Sequence, residues 1–273
     1  ANLPQNTTIV PAGCFSNCES LETIEIHNDV TEIEEYAFAG CSILDSIRIP
    51  RGCKKVGTRA FSNCIGMESV NFMAESAKIE SLAFYKCRNI RNINLDGVEE
   101  IGYRAFAECY ELRGVAFGEK LTMIDNRAFE NCKSLKSISL PQTLNRIGKS
   151  AFENCKSLIS IKVNNASLTI GNRAFAKCEL LSVVDLGNNI QKIGEYAFSY
   201  CSEMESIRIP NAIDCIEKGC FYRCENLESV EIPDGVRSID DRAFAKCGNM
   251  TNVTIPNTVV EIGERAFGEG ERL

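Results

Sequence analysis

Residues 135–157 read LKSISLPQTLNRIGKSAFENCKS, and the chain repeats this unit, with substitutions, from one end to the other. The phenylalanine of the unit recurs every 23 residues, apart from one 22-residue step between Phe84 and Phe106. We place the missing residue in the Asp96-Gly97 turn. A fixed period of roughly 20–50 residues indicates a solenoid, in which each unit is covered only by its neighbours. The series is Phe15, Phe38, Phe61, Phe84, Phe106, Phe129, Phe152, Phe175, Phe198, Phe221, Phe244 and Phe267.

Three segments make up each unit. Ile138 and Leu140 alternate with polar residues, a period-two pattern that predicts a strand with one buried face, and Pro141 ends it. The V-x-x-I segment that follows is a shorter extended or turn-like piece. The A-F-x-x-C segment fits a helical or 3₁₀ turn that points its phenylalanine and cysteine inward. The sequence therefore predicts a strand-rich, right-handed coil of about twelve units, with one parallel sheet on one face and short turns or 3₁₀ segments opposite.

These features resemble the BspA-like, or Treponema pallidum-type, class of leucine-rich repeats over Val10 to Leu273. The period of 23, the strand that ends in proline and the A-F-x-x-C signature carry the resemblance, whereas the asparagine of typical leucine-rich repeats is missing. The resemblance implies a curved leucine-rich-repeat solenoid of the α/β class. It also implies a surface or secreted protein of a microbe, an adhesin or host-interaction module, with no catalytic residues to carry over.

The last unit departs from the pattern. Gly270 stands where cysteine is expected, and the sequence stops at Leu273, the first apolar position of a new strand. A solenoid normally needs a polar capping repeat at each end, and none is visible. We therefore expect residues 1–273 to form a single solenoid domain that is a fragment of a longer protein or is covered by another domain.

Charge and hydropathy narrow the classes of partner. The net charge is −7 and the pI about 5.1, which argues against nucleic acid as the main partner, because phosphate binding rests on clustered basic residues. No stretch approaches the roughly 20 apolar residues that cross a bilayer, so we expect no membrane insertion. The oligomeric state stays open.

Fifteen cysteines would normally suggest disulfides or metal binding. In eleven units, however, a cysteine follows the phenylalanine by three residues, so that the side chains stack in parallel rather than converge. No C-x-x-C pair occurs, and zinc sites favour such pairs. We therefore expect core packing, with no metal and no cofactor. Four cysteines lie outside this ladder position, and their redox state stays open: Cys14, Cys53, Cys215 and Cys220. Cys215 is the candidate for a reactive thiol.

Catalysis finds little support in the sequence. A serine, cysteine or threonine nucleophile needs a positioned base, and the single histidine, His27, has no partner pattern nearby. We expect the chain not to be an enzyme.

The exposed positions of the predicted strands lie seven, eight and ten residues after each phenylalanine. The middle units place basic residues on or beside these strands, whereas the outer units are acidic. One interpretation is a ligand-binding face for an acidic protein segment or an anionic glycan, since clustered charge of one sign steers an oppositely charged partner. The other is drift among solvated positions. The residues concerned are Arg88, Arg91, Arg113, Lys133, Lys136, Lys156 and Lys162.

A second basic column stands two residues before the phenylalanine, and it favours a solvated rim paired with carboxylates over an anion-binding edge. Its arginines are Arg59, Arg104, Arg127, Arg173, Arg242 and Arg265. The sequence as a whole predicts a non-catalytic binding module at the cell surface or secreted. The alternative is an intracellular, cytoplasmic scaffold or effector that organises partner proteins.

Overall fold

The computed structural model describes residues 2–163, 167–270 and 272–273. The chain forms two compact structural units, Ala1–Leu135 and Lys136–Leu273, each of which contains several of the 23-residue repeats. Each structural unit is a stretch of parallel β-solenoid. Together they comprise about 11 turns, and no helix occurs among the described residues. The leucine-rich-repeat solenoid predicted from the sequence is confirmed.

The first unit contains ten strands in two ladders. They are β1 (Ile9–Val10), β2 (Glu32–Ile33), β3 (Ser46–Ile49), β4 (Lys55–Val56), β5 (Ser69–Phe72), β6 (Ala77–Ile79), β7 (Asn92–Leu95), β8 (Val98–Ile101), β9 (Gly114–Phe117) and β10 (Met123–Ile124). The I-x-I segments form the long-strand sheet, in the order β3-β5-β7-β9. The V-x-x-I segments form the short-strand sheet, in the order β1-β2-β4-β6-β8-β10.

The second unit repeats this arrangement. Its strands are β11 (Ser137–Leu140), β12 (Arg146–Ile147), β13 (Ser160–Val163), β14 (Leu168–Ile170), β15 (Val183–Asp185), β16 (Ile190–Ile193), β17 (Cys215–Ile216), β18 (Ser229–Glu231), β19 (Ser238–Ile239), β20 (Asn252–Thr254) and β21 (Glu261–Ile262). The long-strand sheet comprises β11-β13-β15 and β18-β20, and the short-strand sheet comprises β12-β14-β16 and β17-β19-β21.

The long strands alternate as their sequence predicts. Ile47 and Ile49 are buried, whereas Ser46 and Arg48, which alternate with them along the strand, face solvent. Each residue pairs with its equivalent one repeat later, as Arg48 does with Asn71. The short-strand sheet is a second paired ladder that the sequence indicated only as extended or turn-like pieces.

The 22-residue step is absorbed between β7 and β8. A two-residue turn, Asp96–Gly97, joins these strands, whereas four residues join β5 to β6. A bulge then returns one residue, because Ala77 pairs with Val98 but Lys78 pairs with Glu100. Two residues lost and one regained give the net loss of one.

The phenylalanines form a stack in the core of each unit. The ring centroids of Phe38 and Phe61 lie 5.1 Å apart, with the planes 2° from parallel. The backbone N–H of Phe38 donates to the carbonyl of Ala60 in the next turn at 2.7 Å, rather than to a residue of its own turn. Bonds to the next turn alternate with i→i+3 bonds inside the turn, such as that from the N–H of Cys41 to the carbonyl of Phe38, so the A-F-x-x-C segment is a series of turns and not a continuous 3₁₀ helix.

Two residues in most turns adopt the left-handed conformation, one two residues before the phenylalanine and one two residues after it. Arg59 (φ 55°) and Asn63 (φ 62°) flank Phe61 in this way. The left-handed region costs a residue with a Cβ roughly 1–2 kcal/mol relative to the right-handed one. The reversal lets the backbone wrap around the buried ring, and the turn-to-turn hydrogen bonds offset the cost.

The cysteine ladder is largely core, as predicted. The Cys64 thiol donates a hydrogen bond to the carbonyl of Phe38, one turn earlier, at 3.1 Å. That oxygen also accepts the backbone N–H of Cys41 at 3.2 Å, so the thiol donates to the second lone pair of the carbonyl oxygen. Burial raises the pKa of the Cys41 thiol to about 12, which keeps it protonated as a donor. The same thiol–carbonyl bond recurs at Cys41, Cys64, Cys87, Cys109, Cys132, Cys178, Cys201, Cys224 and Cys247.

The four exceptional thiols are all free but differ in exposure. Cys53 and Cys220 are buried, and Cys215 is half-buried. Cys220 takes the place of the alanine whose carbonyl accepts the N–H of the phenylalanine one turn earlier, here Phe198. Cys14 is exposed, and so is Cys18, which the ladder pattern placed in the core. The expectation for Cys18 is wrong because the first turn packs against a neighbour on one side only.

Candidate binding surface on the long-strand sheet

The seven basic residues of the predicted ligand-binding face are all exposed. Arg88, Arg91, Arg113 and Lys133 belong to the first unit, and Lys136, Lys156 and Lys162 to the second.

In the first unit, carboxylates partly neutralise the basic residues. Arg91 Nη2 lies 3.6 Å from Glu68 Oε2, and Arg113 Nη2 lies 3.5 Å from Glu111 Oε2. Exposed pairs of this kind contribute only about 0–1 kcal/mol to stability, so a partner can displace them. The sequence pattern indicates the arginines but does not indicate these acidic partners.

Arg88 and Lys133 stack against one aromatic ring, that of Tyr110. The Arg88 guanidinium carbon lies 5.3 Å from the ring centroid and Lys133 Nζ lies 4.8 Å from it. The Tyr110 hydroxyl donates to Glu108 at 3.0 Å. Burial acts to raise the pKa of Glu108, but hydrogen bonds from Tyr85 and Tyr110 outweigh it and hold the pKa below its usual value. The result is a cation–aromatic cluster beside an ionised carboxylate.

In the second unit, two lysines keep their charge available. Lys156 Nζ lies 2.8 Å from Glu179 Oε1, whereas Lys136 and Lys162 make no ion pair within the described ranges of the chain. Lys162 stands in β13, opposite Asp185 of β15 in the register of the sheet. Three aliphatic residues of these repeats are also exposed, Ile159 at a predicted exposed strand position and Leu180 and Val183 without having been singled out from the sequence.

Shallow grooves on the long-strand sheet lie away from the basic residues. One, of about 530 Å³ in the first unit, is lined by Thr23, Glu25, Ser46, Arg48 and Asn71, among others. Another, of about 360 Å³ in the second unit, contains Ser206, Arg208, Ser229 and Glu231. Of the seven basic residues, Lys162 lies within a strand of this sheet and the other six lie in the segments that lead into its strands. A partner that contacts them would approach across this edge and face of the sheet.

The arginine column two residues before the phenylalanine occupies left-handed turn positions. Arg59 lies 5.6 Å over the Tyr36 ring, and Arg104 Nη2 lies 3.1 Å from Glu130 Oε2. Carboxylates and tyrosines therefore partner members of this column. The geometry favours the solvated rim over an anion-binding edge.

Cys215 lies in a cluster with Glu217 and Asp240, whose ligand atoms are within 4.8 Å of one another. Zinc accepts such donors, but Lys192 Nζ already lies 2.6 Å from Glu217 Oε1. The expectation that the chain binds no metal therefore stays a prediction. Burial, with the charges of Asp240 and Glu217, raises the pKa of Cys215, and a hydrogen bond with Ser238 opposes this.

We expect alkylation of the native protein to sort the thiols by exposure and pH. Iodoacetamide should label the exposed Cys14 and Cys18 readily at pH 7, and the twelve buried thiols only after unfolding. Because the thiolate is the nucleophile and the pKa of Cys215 is raised, its labelling should be slow at pH 7. Its rate should keep rising above pH ~8.5, where an ordinary thiol is already half ionised. Peptide mass spectrometry across a pH series measures each rate, and fast labelling of Cys215 at pH 7 would contradict this expectation.

The repeat pattern and the fold can be compared with known proteins. The profile of the BspA-type leucine-rich repeat region matches residues 1–113, 77–203 and 146–273, in six copies. The chain belongs to the BspA-type leucine-rich repeat family. No curated protein matches this BspA-type chain significantly. Proteins with leucine-rich repeats are generally non-catalytic and generally bind proteins.

Solved structures of bacterial leucine-rich repeat proteins resemble this BspA-type chain. A leucine-rich cell surface protein from Faecalibacterium prausnitzii is 27% identical, with a TM-score of 0.52, over 92% of this chain and 77% of that one. A leucine-rich repeat protein from Bacteroides ovatus is 26% identical, with a TM-score of 0.54, over 96% and 82%. The pneumococcal vaccine antigen PcpA (21% identity, TM-score 0.52, 84% and 66% covered) shares the fold. Among the described residues, no helix is long and apolar enough to cross a membrane.

Proposed function

We propose that this chain is a non-catalytic binding module of a cell-surface or secreted microbial protein, an adhesin or host-interaction protein. It binds an acidic protein segment across the long-strand sheet. The observation that carries the proposal is the set of exposed basic side chains on and beside the strands of that sheet, in a chain with a net charge of −7. The F. prausnitzii relative, a cell surface protein, supports the location.

Lys136 and Lys162 are central to this proposal. Both are exposed and make no ion pair with any described residue, so their charge is available to a partner without first breaking an internal contact. Clustered charge of this kind raises association rates and selects partners of opposite sign. The arginines of the first unit add to the attraction once a partner displaces Glu68 and Glu111.

Charge reversal on the long-strand sheet tests the proposal. We expect the double variant K136E/K162E to weaken binding to acidic proteins by about tenfold, because it replaces two attractions with two repulsions. Binding of wild type and variant to an array of acidic extracellular proteins and anionic glycans, at low and raised salt, measures the effect. Raised salt should weaken wild-type binding.

The matched control is R146E. Arg146 is an exposed cation of β12, on the short-strand sheet of the same unit, so its reversal adds charge of the same sign away from the proposed face. We expect R146E to bind within about twofold of wild type. Equal losses of affinity in both variants, or no loss in K136E/K162E, would contradict the proposal. Binding to anionic glycans only would show that the partner is a glycan and not a protein. Protease treatment of intact cells that make the protein tests its surface location.

A further inference from the structure

Two consecutive repeats of the second unit break the polar pattern of the long-strand sheet. At the position eight residues after the phenylalanine, one repeat carries Val183, and each of the other repeats that include this position carries a small or polar residue. At the position seven residues after the phenylalanine, Ile159 is the one aliphatic residue among the repeats. The other members of the first column are Thr23, Ser46, Ser69, Asn92, Gly114, Ser137, Ser160, Ser206, Ser229 and Asn252. Those of the second are Glu22, Asp45, Glu68, Arg91, Arg113, Lys136, Ser182, Glu205, Glu228 and Thr251.

Backbone hydrogen bonds place these departures on adjacent turns. The N–H of Val183 donates to the carbonyl of Ile159 at 3.0 Å, and the N–H of Leu180 donates to the carbonyl of Lys156 at 3.3 Å. The exposed fractions are 46% for Ile159, 47% for Leu180 and 57% for Val183. We call these three residues the aliphatic patch. Single exposed apolar residues are ordinary, but adjacent ones on a polar sheet mark an interaction site.

Charged groups border the aliphatic patch. Lys136 precedes Ile159 in its column, and the N–H of Ile159 donates to its carbonyl at 2.8 Å. Lys162 lies on β13, and Lys156 is paired with Glu179. Asp185 lies in the same repeat as Val183, and its carboxylate accepts the N–H of Gly187 at 3.2 Å. On the next repeat, the exposed Glu203 follows Leu180 in its column and the exposed Glu205 follows Ser182. The border is therefore positive on the side of Lys136 and Lys162 and negative on the side of the next repeat.

We infer that the aliphatic patch docks an acidic segment of a partner protein, one that carries leucine, isoleucine or valine beside aspartate or glutamate. The inference deepens the proposed function and rests on it. The aliphatic side chains of the segment cover Ile159, Leu180 and Val183, while its carboxylates reach Lys136 and Lys162. Interfaces of this type concentrate their affinity in a few central apolar contacts ringed by polar ones.

The test removes the aliphatic patch with substitutions that other repeats already contain. The variant I159S/L180S/V183S places serine where Ser182, Ser134 and Ser206 stand in the equivalent positions, so we expect it to fold, as circular dichroism would verify. The matched control is I65S, since Ile65 is an aliphatic residue of the first unit with the same exposed fraction as Ile159. The probes are peptides selected on the wild-type chain from a random displayed library, then synthesised with a fluorophore.

We expect the selected peptides to be enriched in aliphatic and acidic residues. Fluorescence anisotropy should show affinity at least tenfold weaker for I159S/L180S/V183S and within twofold for I65S. Failure to select any peptide, peptides without this enrichment, or equal binding to the triple variant would overturn the inference. So would a self-association that the triple variant abolishes, because the occupant would then be a second copy of the chain. Peptides that respond to K136E/K162E but not to the triple variant would leave the proposed function standing and remove the aliphatic patch from it.

Discussion

Replacing Phe61 by alanine is expected to lower the free energy of unfolding by about 3–5 kcal/mol. The Phe61 ring is fully buried and stacks on Phe38 and Phe84, with both centroid distances 5.1 Å. Removing the ring leaves a cavity between the rings of Phe38 and Phe84, and neither ring can move into the cavity without breaking the hydrogen bonds between its own turn and the next. Denaturant titration followed by circular dichroism measures the loss, since the chain has no tryptophan to report by fluorescence.

The matched control for Phe61 is Phe267. Among the described residues its ring stacks on Phe244 only, at 5.4 Å, and it is only partly buried. The variant F267A should therefore cost clearly less than F61A, because fewer contacts depend on the ring. Equal costs would mean that stability does not depend on stacking between turns.

Replacing Gly97 by alanine is expected to cost about 3 kcal/mol, the upper end of the usual cost of overpacking. A Cβ at Gly97 would lie 1.8 Å from the carbonyl oxygen of Ala74 and 2.7 Å from its carbon. Both atoms are backbone, so no side chain can rotate away, and the bulged pairing that follows leaves little room to shift. The same denaturant titration measures the effect.

Gly248 provides the control for Gly97. No heavy atom lies within 4 Å of a Cβ built there, and its φ is not positive. We expect G248A to be near neutral, within about 0.5 kcal/mol. A small effect of G97A would instead show that the two-residue turn can open without loss.

The sequence predicted the long strands and the core because apolar side chains report burial directly. Ile47, Phe61 and Cys64 recur in register and are buried in register. The short-strand sheet was harder to predict, since two or three residues are too few to establish a period. The left-handed turn positions left only a partial trace, because asparagine holds four of them and glycine three, whereas arginine holds seven. Their geometry comes from the bonds between turns and not from local preference.

The candidate surface was predictable in part for a similar reason. Position within the repeat settles exposure, so all seven basic residues lie on the surface. Their partners depend on side-chain conformation, which the sequence does not encode, and the pairs of Arg91 with Glu68 and Lys156 with Glu179 were missed. Leu180 and Val183 had a readable signal, the departure from their columns. It becomes informative once the sheet shows that the two repeats are adjacent.

The thiol–carbonyl bonds between turns have a consequence for refolding. They require reduced sulfur, and twelve of the fifteen cysteines are buried in the native chain. Unfolding would expose all twelve at once, at regular intervals along a flexible polymer, where oxidants would join them in non-native pairs. Such cross-links would trap the unfolded state, so reversibility would depend on the redox potential of the surroundings. The native fold thus protects these thiols from oxidation. A cell that exports this chain needs the chain to be folded before the chain meets an oxidising environment.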